Sequence, residues 1–426
     1  MDSHAGPWSD LPADVLITIL ETLDIGDLVR AGAVCQWWNT SSSYVRGQHH
    51  LLSLPLTPCL LYTTADTGDD SNVASLYSLT DHRSYTVPLP GPHVHRRWLG
   101  ASHGWLATTD DDAALHLVNP VTGQQISNLP PVTTIEMPRA NPPMTMTARE
   151  LSEYIYQRVF LSSDPSDGRD CIVVLLHRPQ GQISFARLGD PHWTWIRTPT
   201  GNLLCVDVAF RADGRKLYGM RADGTIHEFD LNGEPALERA TILPAQECAM
   251  WHTNYLVDAP WLGGDGWLLV CRYMGAANLQ AYTAWRADRS VPYDDVWNTH
   301  LIKVYRVDSA AGTVAEIEDL GGHHALFLGC NNSFGLAVAD SPGILPNHIY
   351  YTDNEEQYAP ECARDIGVYN MEDGSFHQVL PPSLWLDWPL PAWIIPSFIL
   401  AAQRGSQVSK YSNLHHARKG TVAEYA

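Results

Sequence analysis

The chain has 426 residues, a formal net charge of −20 at pH 7 and a pI of about 5.2. That length exceeds one average domain and fits one large β unit with a small appendage. A surface this acidic repels the phosphate backbone of nucleic acids, so the composition argues against a nucleic-acid partner.

The start of the chain and its late apolar run bear on where the protein resides. The opening residues, MDSHAGPWSD, lack the basic region and apolar core of a signal peptide. The run LPAWIIPSFILAA is shorter than the ~20 residues of a membrane span, and prolines interrupt it. The 8 cysteines include no C-x-x-C pair, which favours reduced, mostly structural thiols. We therefore expect a protein of the nucleus or cytoplasm, without a membrane partner.

The segment WSDLPADVLITILETLDIGDLVRAGAVCQWWN, residues 8–39, predicts short helices. Pro12 suits a first helical turn, where its missing N–H costs nothing. Three short helices in about 45 residues cannot normally form a self-sufficient core. The surplus apolar surface therefore packs either on the rest of this chain or on another protein. The apolar face of the first helix follows i, i+3, i+4, i+7 spacing and comprises Leu16, Ile19, Leu20 and Leu23.

The order of residues in this segment resembles the F-box, the helical module by which a substrate receptor docks on the Skp-type adaptor of a cullin ubiquitin ligase. LPADVLITILETL followed by DLVRAGAVCQWW carries the resemblance. It departs from the family where Gln36 and Asn39 stand at positions that are usually or often basic. The resemblance implies an adaptor-binding set comprising Leu11, Pro12, Val15, Leu16, Ile19, Leu20, Leu28, Val34 and Trp38.

The resemblance also implies roles for eight of these nine residues, all except Val15. One group holds the helices together, namely Leu28, Val34 and Trp38. The other group faces the adaptor, where a few buried apolar anchors would dominate the binding energy. This second group comprises Leu11, Pro12, Leu16, Ile19 and Leu20.

From about residue 59 the sequence predicts repeated β-hairpins, in which alternating apolar residues flank a polar turn. Apolar runs that we interpret as inner strands, GWLATT, KLYGMR and GWLLVCR, precede several hairpins. Repeats of about 40 residues with four strands each indicate a β-propeller. The alternative, a β-sandwich, uses fewer strands than the more than about twenty short strands expected here. We expect six or seven blades and a rim helix that begins near Thr147. The hairpins are SLYSLTDHRSYTVPLP, LHLVNPVTGQQISNLP, GQISFARLGDPHWTWI, TIHEFDLNGEPALERA, IKVYRVDSAAGTVAEIEDL and IGVYNMEDGSFHQVLP.

The C-terminal part resembles the plant family in which an F-box precedes domain of unknown function 295. The motifs LGCNNSF and PNHIYYTD and the ending WPLPAWIIPSF carry this resemblance, which implies a kelch-like propeller that recruits a substrate. This ending could close a sheet edge, because prolines stiffen it and three tryptophans give it large apolar surfaces. The tryptophans are Trp385, Trp388 and Trp393. We expect an F-box at 8–50, a mainly β propeller at 59–400 and a disordered tail at 401–426.

Motifs of catalysis and metal binding are absent from the sequence. It contains no G-x-x-x-x-G-K-[ST], G-x-G-x-x-G or G-x-S-x-G. The acidic run at 110–112 lacks the spaced ligands of a calcium loop and predicts a hairpin turn. We therefore expect no catalytic residue, no metal and no cofactor. Three adjacent histidine pairs lack metal-site spacing: His49-His50, His323-His324 and His415-His416.

Six tryptophans could form either a ligand surface or packing between blades, and packing is the commoner role in a propeller. They are Trp98, Trp105, Trp193, Trp195, Trp261 and Trp267.

Three functions are compatible with these observations. We predict a non-catalytic substrate-recognition subunit, whose F-box binds the Skp-type adaptor and thereby a cullin while the propeller holds an unidentified protein target. Its contribution would be proximity. One alternative is a propeller hydrolase or lyase with carboxylates in the channel, which the apolar inner strands disfavour. The other is a scaffold that has lost adaptor binding.

Overall fold

The structure is a computed structural model, and no helix in the part of the chain that it describes is long and apolar enough to cross a membrane. Residues 401–426, Trp385, Trp388 and the predicted boundaries at 50 and 400 lie outside the described residues. The described residues are 11–20, 22–23, 28, 31–32, 34–47, 57–64, 72–80, 82–89, 96–135, 147–178, 181–196, 204–211, 216–232, 237–250, 252–275, 298–353, 365–379 and 389–397.

The described strands form six sheets, which are the blades of a mainly β propeller. Blade 1 contains β1 (Cys59–Tyr62), β2 (Val73–Ser78) and β3 (Arg83–Pro88). Blade 2 contains β4 (Trp98–Ser102), β5 (Trp105–Thr109), β6 (Leu115–Val118) and β7 (Gln125–Ile126). Blade 3 contains β8 (Tyr156–Leu161), β9 (Ile172–His177), β10 (Gln182–Arg187) and β11 (Thr194–Trp195).

The second half of the propeller continues this pattern. Blade 4 contains β12 (Cys205–Phe210), β13 (Leu217–Arg221), β14 (Ile226–Asp230) and β15 (Leu237–Leu243). Blade 5 contains β16 (Thr253–Asp258), β17 (Trp267–Gly275), β18 (Asn298–Asp308) and β19 (Thr313–Ile317). Blade 6 contains β20 (His324–Leu328), β21 (Phe334–Ala337), β22 (His348–Tyr351), β23 (Gly367–Asn370) and β24 (Phe376–His377). The last described strand, β25 (Ala392–Ile394), returns to blade 1.

Blade 1 joins the two ends of the propeller. β25 pairs antiparallel with β1, so that Leu60 lies opposite Trp393 and Cys59 opposite Ile394. Trp393 is fully buried and packs edge-on against Phe327 at a ring-centroid distance of 5.4 Å. The C-terminal strand thus closes the ring, as the aromatic and proline-rich ending predicts at Trp393.

The inner strands differ from those we expected. Contacts between neighbouring blades place β25, β4, β8, β12, β16 and β21 around the centre. The runs WLATT, LYGMR and WLLVCR instead form β5, β13 and β17, which are second strands. The assignment from sequence was wrong because alternation identifies a strand but carries no information on its position within a sheet.

Blade 6 departs from the regular order because of the LGCNNSF motif. β20 pairs parallel with β22, and residues 329–333 turn the chain so that β21 returns antiparallel to β20. We name residues 329–333 the central loop. Gly329 has φ +142°, and a Cβ atom there would overlap Thr352 Oγ1, so the turn requires glycine.

The core lies between adjacent blades. Trp105 and Trp193 pack between blades 2 and 3, Trp98 between blades 1 and 2, and Trp267 between blades 4 and 5. These four indoles therefore have the packing role. Trp195 is partly exposed and donates its Nε1–H to Gln182 Oε1 over 3.2 Å.

Among the described residues, three α-helices have defined bounds: α1 (Ala13–Leu20), α2 (Gln36–Gly47) and α3 (Ala148–Ile155). The predicted rim helix is α3, and its start at Thr147 is confirmed. Thr147 Oγ1 accepts the Glu150 N–H over 3.2 Å, while Glu150 Oε2 accepts the Thr147 N–H over 2.8 Å. This reciprocal pair is a capping box, which satisfies two backbone donors at the helix start.

Candidate functional sites

The N-terminal helices share a small apolar cluster. Leu16 and Leu20 of α1 have no exposed surface, Leu28 is 1% exposed, and Trp38 packs against them from α2. Ser42 Oγ, also buried, donates to the Leu28 carbonyl oxygen over 2.8 Å. Leu28 and Trp38 therefore hold the helices together, as the resemblance implies.

Three other residues take a different place from the one expected. Leu16 and Leu20, expected to face an adaptor, point into the cluster, whereas Val34, expected inside it, is 62% exposed. The i, i+4 spacing puts Leu16 and Leu20 on one face of α1, and α2 packs on that face. Helical spacing predicts that they share a face but cannot say what covers it.

Among the described residues of this N-terminal segment, the exposed apolar side chains are Val15 (44% exposed), Ile19 (36%), Val34 (62%) and Trp37 (40%). We name these four residues the exposed apolar set. Among the remaining predicted residues, Pro12 is exposed and Leu11 is partly buried against the cluster. Four large apolar side chains exposed within about 25 residues exceed the scattered singles of an ordinary surface and indicate a binding region.

Trp37 is a residue of this region that the sequence analysis missed. Its Nε1–H donates to the Leu11 carbonyl oxygen over 3.2 Å, which ties the start of α2 to the residues before α1. The signal was present as the pair Trp37-Trp38, of which the resemblance uses only the second. The hydrogen bond orients the indole while 40% of the residue's surface stays exposed.

The two departures from the F-box pattern have different surroundings. Asn39 Nδ2 donates to the Gly32 carbonyl oxygen over 3.0 Å, so this side chain stabilises the helical segment. Gln36 is exposed at the first position of α2. Both residues are exposed, and the side chain of Asn39 is also held by its hydrogen bond within the helical segment.

At the centre of the propeller, an ion pair links neighbouring blades. Arg158 Nη1 of β8 lies 2.8 Å from Asp207 Oδ1 of β12, and both side chains are buried. Arg158 Nη2 also donates to the carbonyl oxygens of Gly329 (3.1 Å) and Asn331 (2.9 Å) in the central loop. Asp207 Oδ2 accepts the backbone N–H of Leu256 in β16 over 2.8 Å. This central ion pair therefore joins blades 3, 4, 5 and 6.

A cavity of about 660 Å³ opens where the inner strands end. The terminal residues of five inner strands line it: Ser102, Leu161, Phe210, Asp258 and Ile394. We name it the channel-mouth cavity. Its volume is in the range of small-ligand sites. Because its wall comes from several blades, no single stretch of sequence predicts it.

Two of the charged residues in the cavity wall form an ion pair with each other, whereas the third accepts hydrogen bonds from uncharged groups. Arg211 Nη1 lies 2.7 Å from Asp258 Oδ1, and the guanidinium stacks 4.0 Å from the Trp267 ring centroid. Asp164 Oδ1 accepts the Trp105 Nε1–H over 3.1 Å, whereas its Oδ2 accepts Ser397 Oγ–H over 3.3 Å. With Arg211 and Asp258 paired, the carboxylate of Asp164 sets the sign of charge in this wall.

An aromatic pair forms another part of the wall. The ring of Trp261 stacks on His324 with centroids 4.2 Å apart and planes inclined by 5°. A Cβ atom at Gly335 would overlap the Trp261 ring, so glycine there permits the close approach. Burial, together with neighbouring His323, lowers the pKa of His324, so its ring is neutral at pH 7. Trp261 is the one tryptophan of the six that lines this cavity.

Three buried polar atoms of the wall have no hydrogen-bond partner among the described residues: Asn332 Oδ1, Ser333 Oγ and His324 Nδ1. An unsatisfied buried polar atom costs about 1–3 kcal/mol. Rotation of these side chains towards a bound polar group would recover part of that cost. The wall thus offers additional hydrogen-bonding capacity next to its apolar surface.

The acidic run Asp110-Asp111-Asp112 forms the turn between β5 and β6, as predicted. Asp110 accepts the backbone N–H of Ala114 over 2.9 Å and pairs with His116 Nε2 over 2.8 Å. These bonds commit the Asp110 carboxylate to the turn. The pairs His49-His50 and His415-His416 lie outside the described residues.

Comparisons with known proteins agree with this two-part organisation. A family model described as F-box-like matches residues 8–44, and one described as KIB1-4 beta-propeller matches residues 76–370. The predicted combination of an F-box with a propeller is thereby confirmed, and the propeller's family carries the KIB1-4 description.

Several Arabidopsis thaliana proteins resemble the chain. The putative F-box protein At4g17565 is 24% identical over 92% of this chain and 95% of its own length. The F-box protein At5g25290 is 23% identical over 85% of this chain and 91% of its own length. The F-box/kelch-repeat protein At1g57790 is 29% identical, but the match spans only 27% of this chain and 30% of that protein.

Solved structures show weaker likeness. TolB from Acinetobacter baumannii has a TM-score of 0.40 at 12% identity, covering 80% of this chain and 66% of that one. The propeller domain of Myceliophteria_thermophila Cps50 (Swd1) has a TM-score of 0.33 at 11% identity, covering 74% and 81%.

Proposed function

The chain belongs to the KIB1-4 beta-propeller family, and we propose that it is the substrate-recognition subunit of a Skp–cullin–F-box ubiquitin ligase. In this proposal, the F-box-like segment binds a Skp-type adaptor, the adaptor joins a cullin, and the propeller holds a protein target. The observation that carries the proposal is the exposed apolar set, because it lies within the segment that matches the F-box-like family. The protein would act in the nucleus or cytoplasm.

Adaptor binding would follow the physics of helix-in-groove recognition. Val15 and Ile19 are spaced i, i+4 on α1 and present their side chains on the exposed side of the helix. Fully burying one such side chain contributes about 1.5–3 kcal/mol, so a few of them dominate the binding energy. Leu16 and Leu20 support this surface from inside rather than touching the adaptor.

The chain would contribute proximity rather than bond-making. Holding a target beside a ubiquitin-charged enzyme makes their encounter effectively intramolecular. Two carboxylates of the channel, Asp207 and Asp258, are committed to Arg158 and Arg211, so neither is free to act as a general base. A general base needs a carboxylate that is free to accept a proton.

The test is co-purification of a Skp-type adaptor with the intact chain and with Val15→Glu, Ile19→Glu and the double variant. We expect each single change to weaken adaptor binding at least tenfold, because it places a charge in an apolar interface. The matched control is Leu345→Glu, which alters a 52% exposed leucine of the propeller and should bind as the intact chain does. Leu16→Asp is unsuitable, because it would disrupt the helical cluster itself.

Circular dichroism and thermal unfolding of each variant separate lost binding from lost folding. Weak binding by folded Val15→Glu and Ile19→Glu, with normal binding by Leu345→Glu, supports the proposal. No binding by the intact chain would overturn it and leave the scaffold alternative, with Gln36 as the first residue to examine.

A further inference from the structure

We propose that the channel-mouth cavity binds the target, and that it accepts a lysine or arginine side chain from an exposed segment of the target protein. This inference takes its biological setting from the proposed function, whereas the binding itself can be measured independently. Three features support it: the end of the propeller at which the cavity opens, the charge of its wall and the apolar side chains that line it.

The path of the chain puts the cavity at the end of the propeller that the F-box segment enters. Cys59, the first residue of β1, pairs with Ile394, which lines the cavity. Gly47 ends α2, and Thr57 precedes β1 by two residues. The ten steps between them span at most about 36 Å. The chain therefore enters the propeller beside the cavity, at a point within that length of the end of α2.

Charge favours a cation as the bound group. Asp164 Oδ1 already accepts three hydrogen bonds, from Trp105 and from the backbone and hydroxyl of Ser166. Its Oδ2 accepts from Ser397 Oγ at the long distance of 3.3 Å, which leaves acceptor capacity for a ligand. The net charge of −20 attracts basic segments in addition.

The apolar part of the wall suits the stem of a long basic side chain. Phe210, Pro260, Trp261 and Phe334 line the cavity together with Ile395. Lysine and arginine pack their methylene groups on such surfaces while the charged end reaches a carboxylate. Aromatic rings at the mouth can also attract the cation through their π faces.

The same wall is poorly suited to an acidic or phosphorylated segment. Recognition of phosphate relies on clustered arginines that are free to donate hydrogen bonds. Arg211 is the arginine that lines the cavity among the residues that the structure describes. It is engaged by Asp258 and by the carbonyl oxygens of Asp265 and Gly266. A phosphate would instead meet the Asp164 carboxylate. Basic segments are therefore the favoured class.

The experiment measures binding of the full chain to arrayed nonapeptides with random flanks and arginine, lysine, glutamine or glutamate fixed at the centre. Buffer at 150 mM salt or more limits long-range attraction by the acidic surface. We expect arginine and lysine arrays to bind at least fivefold more protein than glutamine arrays, and glutamate arrays to bind least. Equal binding by glutamine and arginine arrays would overturn the proposal.

Two cavity variants and one control locate the binding. Asp164→Asn removes the charge and keeps an acceptor oxygen for Trp105, and we expect it to lose the basic preference at least fivefold. Ala337→Arg adds a competing cation at an exposed position of the wall without touching Asp164, and it should have the same effect. Asp373→Asn removes a charge from the hairpin between β23 and β24 and should leave the preference unchanged.

The outcomes also separate this inference from the proposed function. An equal loss in Asp164→Asn, Ala337→Arg and Asp373→Asn would indicate general charge attraction and overturn the inference. A preference that appears only after removal of residues 404–426 would place this chain's own basic tail in the cavity and overturn it as well. A basic preference that both cavity variants lose, in a chain that binds no adaptor, would support the cavity and refute the ligase.

Discussion

Arg158 and Asp207 form a buried ion pair 2.8 Å long between β8 and β12, and the same guanidinium holds two carbonyl oxygens of the central loop. The pair thus connects blades 3, 4, 5 and 6 at the centre of the ring. The LGCNNSF motif carries the family resemblance in the sequence. In the structure, its Gly329 and Asn331 carbonyl oxygens bind Arg158 and so link blade 6 to blade 3.

Removing one partner of this pair should be strongly destabilising. Arg158→Met leaves Asp207 buried without a counter-charge, which costs about 3–5 kcal/mol. Urea unfolding followed by tryptophan fluorescence measures the change in the free energy of unfolding. The control is Lys303→Met at the exposed pair Lys303–Glu316, where we expect a loss below about 1 kcal/mol. Equal losses for the two variants would show that the central ion pair has no special role.

Gly329→Ala should destabilise the protein more than an alanine at another glycine with positive φ. The new Cβ atom meets Thr352 Oγ1, and Gly329 also has φ +142°. Gly123→Ala is the matched control, because Gly123 has φ +69° but nothing within 4 Å of the added Cβ atom.

For these glycine variants we expect a cost of about 1–2 kcal/mol at Gly123 from backbone conformation alone, and a clearly larger cost at Gly329. Thermal unfolding of the two variants makes the comparison. A smaller shift at Gly329 than at Gly123 would mean that the central loop is not tightly packed.

Because His177 is buried, we expect the folded protein to lose stability in mild acid. Its ring is fully buried, with Nδ1–H donating to the Arg178 carbonyl oxygen over 2.8 Å and Nε2 accepting from Ser184 Oγ over 2.8 Å. Burial lowers the pKa of His177 to about 4 from its usual 6.5, despite the bond to Arg178. Between these two pKa values the unfolded chain binds the proton and the folded chain does not, so stability falls as pH falls from 6.5 towards 4.

The contribution of His177 to this loss reaches at most about 3.5 kcal/mol, since each unit of pKa difference corresponds to about 1.4 kcal/mol. Unfolding free energies of the intact chain and His177→Gln, measured from pH 7 to pH 4.5, should show a shallower decline in the variant. His192→Gln, which changes an exposed histidine, should decline as the intact chain does. Identical slopes for all three proteins would contradict the prediction.

Local patterns in the sequence determined the elements of this protein. Alternation identified the hairpins, helical spacing placed Leu16 and Leu20 on one face, and the sequence around Thr147 predicted the start of α3. Each of these signals depends on residues only a few positions apart, where backbone geometry alone decides which side chains are neighbours. The F-box and propeller resemblances likewise follow from residue order.

Only the tertiary structure decided how those elements are arranged. It set the number of blades at six and made WLATT and WLLVCR second strands, because sheet order depends on pairing between distant segments. It also buried Leu16 while leaving Val15 exposed, since what covers a helix face depends on the neighbouring helix. The channel-mouth cavity brings Asp164, Trp261 and Ser397 to one wall, and residues so far apart in the chain meet only when the blades close into a ring.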